Sequence, residues 1–141
     1  MSNVLRISEA ASLALHTATF LAANPGRWIS TREVASVLNA SEAHLSKVLQ
    51  RLTKAGLVKA VRGPGGGVAL EEDKRDVRLL DVYEAIEGPL PPSKCLLGKP
   101  ICGGNCILGN LVGSLNEQVR NHLANTRLSD LSRAFKRERI V

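Results

Sequence analysis

Three cysteines, Cys95, Cys102 and Cys106, fall within twelve consecutive residues in the spacing C-x6-C-x3-C. Thiolate sulfur is the ligand of iron–sulfur clusters and of structural zinc. The glycines at 98, 103 and 104 would let the backbone wrap closely around an ion or cluster. Three sulfurs leave one position of a tetrahedral site to another residue, to solvent or to a second copy of the chain. The spacing is neither the paired C-x2-C of a zinc finger nor a ferredoxin run, so three ordinary buried or surface thiols stay open as a reading. A catalytic cysteine is a third reading, but no histidine or acid stands nearby in sequence to activate it, and the chain is not expected to be an enzyme.

The elements around this cluster have to position it. The run 89–106 holds Pro89, Pro91, Pro92 and Pro100 besides its glycines, so it reads as a loop that needs something to order it. Directly after it, Ile107, Leu108, Leu111, Val112, Leu115, Val119 and Leu123 recur at helical spacing and predict a helix of about five turns with a broad apolar stripe. A lone helix of that kind needs a partner surface, and a second copy of the chain is the most economical one. A short helix over 128–135, capped by Thr126 or Ser129, follows.

Upstream, the segment from Arg6 to Ala23 is helix-length, apolar on more than one face, and stopped by Asn24-Pro25-Gly26. Ser30 followed three residues later by Glu33 is a capping box that opens a short second helix. Ser41 can cap a third, in which Leu45, Val48, Leu49 and Leu52 face the core and Gly56 ends the run. Residues 57–62 read as a strand, Gly63-Pro64-Gly65-Gly66-Gly67 as a turn, and 68–70 as the returning strand. A further helix is predicted over 79–87. The fold class is therefore mainly α with a small β-hairpin: a winged helix-turn-helix domain plus a long C-terminal dimerisation helix. Residues 1–88 would form the winged domain, with helix 1 contributing to the dimer core. Residues 89–106 would form a sensor loop, and 107–141 the dimerisation and C-terminal helices.

Nineteen Lys and Arg against thirteen Asp and Glu give a net charge of +6, which favours a polyanionic partner. The third helix offers Ser41, Ala43, Ser46 and Lys47 to the base edges of a major groove, with Arg51 further along it. The cap at Thr31 and Arg32 places free N–H groups and a cation for a phosphate. The wing adds Lys59, Arg62, Gly63, Pro64 and Gly65, with Arg62 placed to enter a minor groove. Any single cation could be only a solvated surface charge; the ordered set is what points to double-stranded DNA. The glycine run has no following helix and no Lys-Ser or Lys-Thr pair, so it is no nucleotide loop. His44, between Ala43 and Leu45, is expected to pack against the preceding helix. The apolar stretch 10–23 is too short to span a bilayer and has no convincing cleavage site, so a cytoplasmic protein without membrane contact is expected.

In the segments LSKVLQRLTKAGLV (45–58) and VRGPGGGVAL (61–70), and in the three-cysteine loop before a long helix, the chain resembles the IscR/NsrR-type iron–sulfur winged-helix transcriptional regulators. The resemblance runs along nearly the whole chain. It implies a homodimer with its two reading helices in successive major grooves, and a cluster held by Cys95, Cys102 and Cys106 near the dimer interface, [2Fe-2S] being favoured over [4Fe-4S]. It further implies that redox, iron–sulfur status or nitric oxide controls repressor binding at an operator. The chain departs from the Isc branch in the shorter spacing of its last two cysteines and in Gly109 where that branch has a histidine. The nitric-oxide branch has a carboxylate where Ser12 stands here, one turn after Glu9, so Glu9 is the candidate fourth ligand. The alternative is a cluster-free regulator of the same fold that senses through thiols, zinc or a small metabolite.

Overall fold

The computed structural model describes residues 7–90, 97, 99 and 101–135. Helices α1 (Glu9–Ala22), α2 (Thr31–Leu38) and α3 (Glu42–Lys54) come first, followed by strands β1 (Lys59–Val61) and β2 (Gly67–Ala69). A 3-10 turn (Glu72–Lys74), helices α4 (Leu79–Glu87) and α5 (Leu111–Asn125), and a 3-10 helix (Leu128–Phe135) complete the order. Among these residues no helix is long and apolar enough to cross a membrane.

Local chemistry sets most of these boundaries. The Ser8, Ser30 and Ser41 hydroxyls accept the N–H groups of Ala11, Glu33 and His44, each satisfying a donor that the first helical turn leaves orphaned. Asn39 takes the left-handed conformation (φ +54) and turns the chain sharply from α2 to α3. Gly56 (φ +79) does the same after α3. α4 starts where the Asp81 carboxylate accepts the Arg78 N–H at 3.0 Å and a guanidinium N–H at 2.7 Å. That guanidinium holds the Asp81 carboxyl below its ordinary range.

The wing is a hairpin three residues deep, in the register Lys59↔Ala69, Ala60↔Val68, Val61↔Gly67. Its tip is closed by the Gly66 N–H on the Gly63 carbonyl at 3.0 Å. Pro64 and Gly65 (φ +76) fill the two central positions, the pairing that a type II turn requires. Ile29 adds a third, single-residue strand against Val68, exchanging N–H bonds of 2.9 and 2.8 Å.

Among the described residues, one core draws on every helix. Ala14, Ala18 and Leu21 of α1 pack with Val34, Leu45, Leu49 and Leu52 of α2 and α3, with Val68 and Leu70 of the wing, and with Leu80, Val82 and Ile86 of α4. Leu123 and Leu128 belong to the same cluster. The C-terminal segment was expected to be a helix capped by Thr126 or Ser129. It is instead a 3-10 helix that the Asp130 carboxylate opens by accepting the Arg127 N–H at 2.9 Å. It packs on α1, where Phe135 meets Phe20 edge to face at 5.6 Å.

α5 also differs from the sequence reading. It starts at Leu111 rather than Ile107, because Gly109 (φ +57) and Asn110 (φ +67) both adopt left-handed conformations that break a right-handed helix. Ile107 and Leu108 lie in the turn before it.

Candidate DNA-reading surface and cysteine loop

The core side of α3 is fixed by Leu45, Val48, Leu49 and Leu52, all buried. The candidate groove-facing positions, the cap Ser41 and Ala43, Ser46, Lys47 and Arg51 of the helix, are exposed, as the helical period requires. Thr31 is half-buried and Arg32 exposed at the head of α2. Lys59, Arg62, Gly63, Pro64 and Gly65 are exposed along the wing. The winged fold therefore leaves nearly every candidate DNA-contacting residue open to solvent.

The cations differ in how they are engaged. Arg32 lies 3.7 Å from Glu42 and Lys59 2.8 Å from Glu71. The Glu71 carboxylate raises the Lys59 ammonium above its ordinary pKa and keeps it charged. Neither acid stood out in the sequence, although Glu42 falls in the first turn of α3 and so could have been read as a neighbour of the α2 cap. Arg51 donates to the main-chain carbonyl of Ile86. Among the described residues none pairs with Arg62 or Lys47. His44 does not simply pack against α2: its Nδ1 lies 3.1 Å from Oε1 of Glu9, at the head of α1. Glu9 is exposed there, so its described partner is a histidine of the reading helix.

Cys95 lies outside the described residues. Cys102 and Cys106 are free thiols, both part-exposed. The Cys106 Sγ accepts the Leu108 N–H at 3.4 Å. Main-chain N–H groups of Asn110, then of Leu108 and Gly109, pull its thiol below the ordinary value. The left-handed turns at Gly109 and Asn110 point these donors at the sulfur, a concave nest that favours an anion. That is the environment of a thiolate ready to ligate a metal or to react. Among the described residues no group of three or more His, Cys, Asp or Glu side chains converges on one point. Past the loop, the α5 stripe turns outward: Leu123 is 5% exposed, but Leu111 and Leu115 are 49% and 41% exposed. Ile107 and Leu108 continue the exposed apolar surface.

Comparison with known proteins agrees with this geometry. The NsrR regulator of Bacillus subtilis, an HTH-type transcriptional regulator, is 30% identical over 122 residues, 85% of this chain and 83% of its own. IscR of Photobacterium profundum, also HTH-type, is 38% identical over 95 residues, 66% of this chain and 55% of its own. The chain spans about half the length of the first curated relatives it matches. Among solved structures, CymR (YrzC), the global cysteine regulator of B. subtilis, superposes with a TM-score of 0.77 at 27% identity, covering 94% of this chain and all of that one. IscR of T. potens gives 0.72 at 23% identity over 98% and 93%, a likeness of fold. A family model described as Rrf2, iron-dependent transcriptional regulator, matches residues 7–134. Since that match takes in the reading helix, the wing, the described cysteines and α5, the chain belongs to the Rrf2 family of transcriptional regulators.

Proposed function

We propose that the chain is a homodimeric, cytoplasmic regulator whose affinity for operator DNA is set by an iron–sulfur cluster held by Cys95, Cys102 and Cys106. The observation that carries this reading is the nest of N–H groups around the Cys106 sulfur, placed immediately before a helix with an outward apolar stripe. The donor set fits such a group: soft thiolates, backbone N–H bonds to sulfur of the kind that tune clusters, and left-handed glycines at 103, 104 and 109 that hold the chain close. When bound, the cluster would supply redox change and reaction with nitric oxide. Glu9, exposed at the head of α1, is the proposed fourth donor. An unchanged absorption spectrum and lifetime in Glu9→Ala would remove it from the set.

In this reading α3 lays Ser41, Ala43, Ser46 and Lys47 against base edges, Thr31 and Arg32 hold a phosphate at the head of α2, and Arg62 enters the minor groove from the wing. A second copy covers Leu111 and Leu115, which sets the distance between the two reading heads. Half-site spacing is a geometric requirement, so a change at the cysteines that moves α5 changes operator affinity.

A second reading, a cluster-free regulator sensing through thiols, zinc or a metabolite, draws support from the likeness to CymR, a cysteine regulator, and from the activated Cys106 thiol. Iron and acid-labile sulfide in anaerobically purified protein, with the ultraviolet–visible spectrum of wild type and Cys102→Ala, separate the two. A cluster lost in the variant together with altered binding to a promoter fragment is expected. Iron-free protein that still binds DNA would select the second reading.

A further inference from the structure

The short stretch 86–90, which joins α4 to the cysteine loop, is gripped by side chains from three other helices. The Arg51 guanidinium, from the last turn of α3, donates to the Ile86 carbonyl. The Arg120 guanidinium of α5 donates to the Leu90 carbonyl, and the Leu90 N–H donates to the Glu84 carboxylate at 3.0 Å. The Ser8 hydroxyl, at the head of α1, donates to the Glu87 carboxylate. In the middle, Gly88 has φ +81 and ψ −179, a conformation open to glycine, so the chain changes direction between the two arginine contacts.

Carbonyls at the end of a helix have no intrahelical donor, and a cation there is favoured by the helix dipole. Arg51 thus caps α4 from α3, one turn beyond Lys47 on the same helix. A guanidinium bonded to a main-chain carbonyl follows the position of the backbone, whatever the side chain there. A shift of 86–90 would therefore bear on the last turn of α3, a continuous 13-residue helix.

We propose that Arg51 is a positioning residue that couples the cysteine loop to the reading helix, through its bond to the Ile86 carbonyl at the entry to that loop. The proposal rests on the reading of the loop as the sensor, but not on the identity of what the loop holds. It gives Arg51 a role distinct from the phosphate contact that its place on the exposed face of α3 suggests.

The test uses the full chain as wild type, Arg51→Ala and Arg51→Lys, and a duplex enriched by the wild-type protein from a random-sequence pool. Affinity is measured with free cysteines and after carboxamidomethylation by iodoacetamide, and also loaded and stripped where iron is found. The ratio of the two affinities should differ from one in wild type and move toward one by about fivefold or more in Arg51→Ala. Arg51→Lys, which keeps the charge and one donor, should recover part of the coupling. The slope of log affinity against log salt should stay unchanged.

A ratio in Arg51→Ala equal to that of wild type overturns the proposal. So does an equal loss of affinity in both states with a slope shallower by about one, the mark of a phosphate contact. Wild-type affinity indifferent to the state of the cysteines overturns it as well. If the protein carries no iron but the alkylation ratio still depends on Arg51, the cluster reading fails and the coupling stands.

Discussion

α5 carries leucines in two environments, so one substitution type on one helix should give two distinct results. A leucine side chain taken from full exposure to burial contributes about 1.5–3 kcal/mol. Leu111 and Leu115 have 49% and 41% of their surface still open, so a partner copy can draw about 1 kcal/mol from each. In a two-fold interface every position counts twice. The double variant Leu111→Ala, Leu115→Ala should therefore lose about 4 kcal/mol of association, a weakening of the dimer Kd by roughly a thousandfold. Alanine keeps helix propensity, so melting of α5 cannot mimic the effect. Leu123→Ala, at a position only 5% exposed, should instead cost about 2–5 kcal/mol of folding stability through the cavity it leaves. Sedimentation equilibrium from nanomolar to micromolar protein, with thermal melting alongside, reads both. A double variant that melts like wild type and dimerises with the wild-type Kd would show that the outward stripe of α5 is not the interface.

Four further outcomes follow from the geometry. Ser41→Ala removes the cap on the reading helix and should cost about 1 kcal/mol in urea unfolding, with Ser41→Gly costing only a few tenths; a Ser41→Ala variant as stable as wild type would rule out the hydroxyl's bond to the His44 N–H as a stabilising cap. Gly67→Ala would put a Cβ 2.3 Å from the Ile29 carbonyl oxygen at φ +142 and should lose about 2 kcal/mol or more by thermal melting, whereas Gly63→Ala, with open space around it, should lose only about 1–2 kcal/mol. Arg62→Ala should leave stability within about 0.5 kcal/mol of wild type, yet weaken operator binding and make the salt slope shallower by about one; an unaltered slope would take Arg62 off the DNA. In metal-free protein the Asn110 and Leu108 N–H groups stabilise the Cys106 thiolate, so its contribution to stability is present above the pKa of the unfolded thiol and fades as pH falls through the lower folded value. Its alkylation, followed by peptide mass spectrometry, should be half-maximal at a lower pH than that of free cysteine; a midpoint at or above that of free cysteine would refute the nest.

What could be read from the sequence was what local chemistry decides. Ser30 and Ser41 cap α2 and α3 because a hydroxyl reaches donors only three residues away. α4 runs over the residues predicted for it because Gly88 follows directly. The wing closes through Pro64 and Gly65, whose backbone preferences are their own. What could not be read depends on contacts distant in sequence. Arg51 reads as one more cation on an exposed face, since its acceptor, the Ile86 carbonyl, belongs to the backbone and leaves no pattern. His44 finds Glu9 across 34 intervening positions, so the expected packing on α2 had no competitor in sequence. The C-terminal segment does carry a signal, Leu128, Leu131 and Phe135 on one face, but nothing in it names α1 as the surface it covers.

The start of α5 shows two patterns in competition, and the outcome bears on function. Ile107 and Leu108 fit the apolar period, and a helix begun there would present them with Leu111 and Leu115. The chain gives up that turn instead. With Gly109 and Asn110 left-handed, the N–H groups of Asn110 and Leu108 turn to the Cys106 sulfur, while the Gly109 N–H donates to the Cys106 carbonyl at 3.0 Å. No side chain among the described residues caps α5, so the Cys106 sulfur is the acceptor at its head, where the dipole favours negative charge. Ligation, alkylation or oxidation of that sulfur would alter its strength as an acceptor, and so would bear on the turn over 107–110. Because the same helix carries Leu111 and Leu115 on its open face and Arg120 against the Leu90 carbonyl, the proposed sensing would carry a change at one sulfur both to the surface offered to a second copy and to the stretch that Arg51 holds.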